Sequence, residues 1–417
     1  MGNHQSFVNR LQNYSLRLRD FFFPPRLEEA EILRVHQIRA STSIRRFVTN
    51  DTDCVQPEGF HNFPIVVMNI LIEPHLSGSH ALFIDTITKI IPSVTVLSLT
   101  GKKWHWASRV GALYFVHKVP PGDQIKTLFV TSVFNLSELV GMRPDLNITK
   151  KIIYFHENQL VYPIRKSRGE RDFQYGYNQI ISCLTADLIY FNSRFNMNSF
   201  ISHIPSYLNV VPGIQFDSEE ITKIVIAKSS VLYFPIDTAV PDLLEVVRKD
   251  VLQIVWPHRW EHDKNPELFF ETLFNLKDNG CKFSVSVLGE STNDIPPIFK
   301  EAETKLNEEI LHFGYLPSKE EYNRVLLNAD VVVSTADHEF FGVSVIEAII
   351  RGCYPLCPNR LVYPEYLGSS HLYSTPQQLF KKLRHACNNL ASFRKATIDC
   401  NLELFYNVKE QYLKIFE

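Results

Sequence analysis

The sequence predicts an α/β protein built from two doubly wound halves that face one cleft, and three observations carry that prediction. Apolar, strand-like runs alternate with amphipathic helical stretches from Pro64 onward. The alternation restarts after a polar, proline-marked hinge near Asp237–Asp250. A chain of 417 residues is too long for one ordinary core and suits two domains of this class.

The elements follow in order. "PIVVMNILIE" is a buried-strand run, after which Ser77-Gly78-Ser79-His80 turns into a helix from Ala81. Further strands are predicted at Val94–Leu99, Thr127–Thr131, Ile152–Phe155, Leu188–Phe191 and Val231–Phe234. In the second half they recur at Leu252–Trp256, Phe283–Leu288, Ile310–Phe313, Val331–Ser334 and Tyr354–Cys357. The best-signalled helix, Lys319–Ala329, opens on the capping box Ser318-x-x-Glu321. Strand–helix repetition of this kind gives Rossmann-like domains, here over residues 64–240 and 241–417.

Residues 1–63 stand apart. They hold eight arginines, no lysine and no strand–helix rhythm, and read as an extension that does not order by itself. Its first residues, Met1-Gly2-Asn3-His4-Gln5-Ser6, fit a myristoylation pattern, and residues 7–19 fit a transit peptide. A dispensable extension is the third reading.

Composition narrows the function classes. A hydrophobic share of 45% and a charged share of 21% are globular values. A net charge of −2 excludes a protein that coats nucleic acid over its whole surface, so any RNA contact must use local basic patches. The seven cysteines show no zinc spacing, and no metal site is expected. The longest apolar run, near Ile65–Ile72, is broken by Asn69, so no integral membrane association is expected.

The chemistry is expected at "EFFGVSVIE", residues 339–347, which follows the strand Val331–Ser334. Ligands of such sheets bind beyond the carboxyl ends of the strands. Gly342 should open a helix whose first amides, from Gly342, Val343 and Ser344, can hold a diphosphate. Glu339 in the loop would accept hydrogen bonds from sugar hydroxyls. Glu347, about one turn into the helix and roughly 6 Å further along, would take a ribose diol, because a carboxylate accepts two O–H donors. Alone, the two acids read more readily as a loop acid and a solvated helix acid, because paired glutamates on helices are common. "WPHRWEHDKNP" changes that reading, since Arg259 and Lys264 lie in the loop after the half's first strand and would neutralise a diphosphate.

With these residues in view, the second half resembles the donor half of retaining GT-B glycosyltransferases. Arg259 and Lys264, "HFGYLPSKEEYNRVLLNADVVVST" and Glu339-x7-Glu347 carry the likeness through most of residues 252–365. The first half carries a rarer set: "GSH" at 78–80, "KKWHWASRVGALYF" at 102–115, "YFHENQLVYP" at 154–163 and "RDFQYGYNQIISCLTAD" at 171–187. These resemble the tRNA-queuosine α-mannosyltransferase family over about residues 66–375. The extension is additional, and the segment near Thr238–Asp250 looks short for the family.

The resemblance implies transfer of mannose from GDP-mannose to the cyclopentenediol of queuosine, at the wobble position in the anticodon arm of tRNA-Asp. It implies retention of configuration, a nucleotide sugar as co-substrate and no resident cofactor. It places His156 near the transferred sugar, so His156 and Glu339 are the candidate catalytic residues. Glu157 and Asn158 become candidate acceptor contacts, with Gly78, Ser79 and His80 across the cleft. The compartment expected is the cytoplasm, with the nucleus as a second.

Residue chemistry on the acceptor side is compatible with RNA. "GKKWHWASR" sets Lys102, Lys103 and Arg109 among Trp104, His105 and Trp106, and "IRKSRGERDFQYGY" sets Arg165, Lys166, Arg168 and Arg171 beside Phe173 and Tyr175. Cations on phosphates and aromatics on splayed bases are how single-stranded loops are held. Solvated loops with packing aromatics would look the same. Two other classes therefore stay open: a GT-B enzyme for a lipid, a glycan or the queuosine of tRNA-Tyr, and a non-enzymatic RNA-binding relative.

Overall fold

Two six-stranded, fully parallel sheets organise the chain in the computed structural model, which describes residues 67–163, 172–237, 249–291 and 295–417. The extension, and Arg165, Lys166, Arg168 and Arg171, lie outside the described residues. All the described residues belong to one compact unit, Arg46–Glu417.

The first sheet holds β1 (Met68–Leu76), β2 (Val94–Thr100), β3 (Ile125–Thr131), β4 (Lys150–Phe155), β5 (Leu188–Phe191) and β6 (Ser229–Val231), in the order β2-β1-β3-β4-β5-β6. The second holds β7 (Leu252–Pro257), β8 (Phe283–Leu288), β9 (Ile310–Gly314), β10 (Val331–Val333), β11 (Tyr354–Pro358) and β12 (Leu372–Tyr373), in the order β12-β11-β10-β7-β8-β9. Strand order reverses between β1 and β3 in one sheet and between β7 and β10 in the other. These are the points where loops diverge and leave a crevice for a ligand.

Both sheets are buried on both faces, which is why their strands read as continuous apolar runs rather than alternating ones. Ile70, Ile72, Leu128 and Val130 enter one core, and Ile254, Trp256, Val285 and Val287 a second. The opposite faces, with Leu71, Phe129 and Tyr154 from the first sheet and Val255 and Val332 from the second, belong to a third core shared by the halves. Phe83, Phe234, Phe341 and Tyr412 join it.

Three features differ from the sequence reading. The sixth strand lies at Ser229–Val231, not Val231–Phe234: after Leu232 N bonds Phe191 O at 2.9 Å, Phe234 turns into the shared core. The first helix starts at Gly78 rather than Ala81, through a left-handed glycine with φ of 52°. The final helix, Val408–Phe416, packs on the first half although the chain before it serves the second. Asn69 donates to Phe416 O at 2.9 Å, Lys150 to Ile415 O at 3.3 Å, and the rings of Phe129 and Phe416 stack at 5.4 Å. Among the described residues no helix is long and apolar enough to cross a membrane.

Candidate functional site

The loops after β7 and β10 meet as the sequence reading requires. Gly342, at φ 82°, caps the helix Val343–Ile350, whose first intrahelical bond comes from Val345 N to Gly342 O at 3.0 Å. The amides of Val343 and Ser344 precede that bond and head the helix. Lys264 is buried and donates to His338 O at 2.8 Å, with Glu339 Oε2 at 3.4 Å and Asp263 Oδ2 at 3.1 Å. It thereby ties the two loops together. Burial alone would raise the Glu339 pKa, but Lys264 and then His258 hold it below the ordinary carboxylate range. Arg259, its side chain 53% exposed, reaches into the cleft with Glu261 at 3.4 Å.

Glu347 is placed differently from the expectation of an open diol receiver. It is buried, with Oε1 2.6 Å from Lys319 Nζ and Oε2 accepting from the Tyr322 hydroxyl at 3.1 Å. Both partners sit on the capped helix Lys319–Asn328, where Ser318 Oγ accepts from the Glu321 amide at 3.2 Å. A ribose diol has to share this carboxylate with Lys319, whose side chain is half-exposed.

The first half answers with a cluster at the carboxyl ends of β1 and β4. Glu73, fully buried, accepts from the His75 amide at 2.8 Å and pairs with His80 Nδ1 at 2.9 Å. The other His80 nitrogen lies 3.3 Å from Glu157 Oε2. Burial would lower the His80 pKa, but Glu73 and Glu157 outweigh it and raise it to about 10. The His156 ring is tilted against that of His80 with centroids 4.1 Å apart, and among the described residues its buried Nε2 has no hydrogen-bond partner. Burial, then His80, lowers the His156 pKa well below the ordinary value, so its ring is neutral. Sequence reasoning placed His80, His156 and Glu157 but missed Glu73 and His75. The available signal was a carboxylate closing the apolar strand "MNILIE".

Glu73, His80 and His156 are also a group whose donor atoms lie within 4.8 Å of one another, as a cation site requires. Two ligands of one tetrahedral ion stand roughly 3.4 Å apart, each about 2.1 Å from it. The direct Glu73–His80 contact at 2.9 Å is closer than that and fits a hydrogen bond between carboxylate and imidazole.

Across the cleft the halves meet, and Ser193 Oγ donates to Phe340 O at 2.7 Å. The Tyr162 ring lies 5.2 Å from that of His338. His338 and His258 each keep a buried Nε2 without a hydrogen-bond partner, and burial, then Lys264, lowers both to about 4. Three neutral imidazoles, from His156, His258 and His338, therefore line a crevice that also holds the cations Arg259, Lys264 and protonated His80.

The remaining acceptor candidates divide. Asn158 is withdrawn as a ligand contact: it is fully buried, donates to Asn196 Oδ1 at 2.8 Å and to Ser199 Oγ at 3.0 Å, and accepts from Val161 N at 3.3 Å. Its amide is consumed in shaping the turn after β4. Gly78 and Ser79 are exposed at the mouth. Lys102 and Lys103 are exposed before the helix Trp104–Phe115, with Lys103 left-handed at φ 53°. Trp104 is half-buried with its ring 4.8 Å from Tyr175, which also receives Arg109 at 4.8 Å; Trp106, 57% exposed, is the freer indole. Arg109 further pairs with Asp172.

Comparison with known proteins identifies the family and the fold. Residues 69–236 match the family described as tRNA-queuosine alpha-mannosyltransferase N-terminal, and residues 245–389 match glycosyl transferases group 1. A tRNA-queuosine alpha-mannosyltransferase of Drosophila melanogaster is 43% identical over 337 residues, covering 78% of this chain and 88% of that protein. Among solved structures, a sucrose-phosphate synthase from Thermosynechococcus elongatus superposes with a TM-score of 0.57 at 13% identity, over 84% of this chain and 95% of that one. A glycosyltransferase from Rickettsia africae gives 0.56 at 15%, over 84% and 94%. At these identities the structural likeness establishes the GT-B fold alone.

Proposed function

Since the chain belongs to the tRNA-queuosine α-mannosyltransferase family and is a hexosyltransferase of GT-B fold, we propose that it transfers mannose from GDP-mannose to queuosine at the wobble position of tRNA-Asp, with retention. The observation that carries this reading is the pairing of two clusters across one crevice. Arg259, Lys264 and Glu339 gather on the β7 and β10 side, and Glu73, His80, His156 and Glu157 on the β1 and β4 side.

On the donor side, Arg259 and the amides of Val343 and Ser344 receive the diphosphate, and Lys264 fixes Glu339 toward the sugar hydroxyls. The charge that grows on the leaving diphosphate is met by these cations and amides, the work that a metal ion does elsewhere. The neutral His156 offers its unpartnered Nε2 to the transferred sugar. The leaving diphosphate takes the proton of the incoming hydroxyl on the same face, so configuration is retained. Lys102, Lys103 and Trp106 form the surface that meets the anticodon arm, and the reaction runs where mature tRNA is found, in the cytoplasm.

The test is to incubate the protein with GDP-mannose and tRNA pools with and without queuosine, digest the tRNA, and weigh the nucleosides. A hexose on the queuosine of tRNA-Asp alone is the expected result. Hexose on a lipid or glycan with queuosine untouched overturns the acceptor. Tight tRNA binding with no transfer from any nucleotide sugar overturns the activity.

A further inference from the structure

One arrangement takes no chemical step in the proposed reaction: the relay from Glu73 to His80, a hydrogen bond at 2.9 Å, and from His80 to Glu157, an ion pair at 3.3 Å. We propose that Glu157 is the residue that recognises the acceptor as a vicinal diol, held in a fixed orientation by the buried Glu73–His80 pair. The assignment rests on the reading of queuosine as acceptor and adds the contact by which it is selected.

Glu73 is wholly enclosed at the end of β1, and both its oxygens are committed, one to the His75 amide and one to His80. A carboxylate desolvated to that degree is stable only when paired. His80, itself buried, carries the pairing outward to Glu157 Oε2. The Glu157 carbonyl is fixed as well, accepting from Ser132 Oγ at 3.0 Å at the end of β3. Backbone and one carboxylate oxygen are therefore both anchored.

The second oxygen, Oε1, has no hydrogen-bond partner among the described residues, and the side chain retains 22% exposure toward the crevice. A carboxylate with its protonation fixed by a cationic neighbour accepts O–H donors and offers none. On binding, two hydroxyls on adjacent carbons can reach it together, whereas a lone hydroxyl uses half of what it offers; the hydroxyl that is glycosylated turns its O–H to the diphosphate as transfer begins, and its neighbour stays on Glu157. The groups facing His80 are His75, Glu73, His156 and Glu157, with Arg259 acting on Glu157 from the opposite half. The two carboxylates outweigh burial and keep His80 protonated.

The test compares binding and turnover of one tRNA in two forms, carrying either queuosine or 7-aminomethyl-7-deazaguanine, which lacks the cyclopentenediol. The unmodified protein should bind the diol-bearing form more tightly. Glu157→Gln keeps an acceptor for His80 but replaces one oxygen by an amide donor. It should raise the acceptor KM by roughly 10- to 100-fold, the scale of lost hydrogen bonds to a charged group. It should also abolish the preference between the two tRNAs while leaving the GDP Kd within about twofold. Glu73→Gln should lower the preference as well, again without weakening GDP, whereas a general structural defect would weaken both ligands. A preference retained in Glu157→Gln, while the unmodified protein transfers hexose to queuosine, overturns the diol assignment alone. If the unmodified protein transfers nothing to queuosine, the proposed function falls and the assignment with it.

Discussion

Gly342→Ala isolates the turn on which the donor side depends. The native φ of 82° is left-handed, and an L side chain there costs about 1–2 kcal/mol. Space adds to the cost, because a Cβ would stand 2.9 Å from the Tyr366 hydroxyl, 3.4 Å from the Tyr363 ring and 3.7 Å from Glu339 Cγ. Tyr366 is buried and its hydroxyl donates to Phe341 O at 3.2 Å, so moving it forfeits a bond worth about 0.5–1.5 kcal/mol. The sum is about 2–3 kcal/mol. At roughly 2 °C per kcal/mol for a large domain, Tm should fall by about 4–6 °C. Calorimetry with and without GDP is the assay. The nucleotide should also recover less of the lost Tm than it adds to the unmodified protein, since the same methyl displaces Glu339 and the helix amides. A Tm within 1 °C of the original (about half a kcal/mol), together with an unchanged GDP shift, would refute the reasoning.

Lys264→Ala removes the cation between Asp263 and Glu339 and leaves two crowded carboxylates, a change expected to cost about 3–5 kcal/mol in chemical denaturation. A loss below about 1 kcal/mol would mean that the loops are held by other contacts. The His80 clamp predicts a pH dependence with a definite sign. Its folded pKa of about 10 lies above the ordinary 6.5, so its stabilisation is complete below pH 6.5 and is lost as pH rises through about 10. The Tm gap between the unmodified protein and His80→Gln should therefore be widest near pH 6 and narrow steadily to pH 10. A gap independent of pH counts against a charged His80.

Much of this was legible before any coordinate, and what was not has physical reasons. Parallel sheets buried on both faces write themselves as aliphatic runs, so "VVV" at 331–333 and "IIYF" at 152–155 could be placed from sequence. Ser318 caps its helix as its spacing to Glu321 requires. The losses came where a side chain's partner is distant in sequence. Lys319 meets Glu347 across 28 residues and reads in sequence only as part of a helix start. Glu73 finds His80 across a turn and, through it, Glu157 in the loop after β4. Asn158 misled for the opposite reason, since His156 and Glu157 just before it belong to the cluster while its own amide is spent inside the turn.

The return of Val408–Phe416 to the first sheet bears on how the protein is made. Asn69 and the carbonyl of Phe416 are 347 positions apart, so the first half cannot be sealed until residue 416 has been made. Until that helix arrives, Phe129 and its neighbours in the shared core lack a cover, and closing so long a loop makes the last step of assembly slow. A nascent chain in that interval shows an apolar face of the kind that chaperones hold and that promotes aggregation. A lesion that removes residues 408–416 would then damage the acceptor side, though it lies in sequence beyond the donor side, and its harm would register as low yield of folded protein rather than as a kinetic defect.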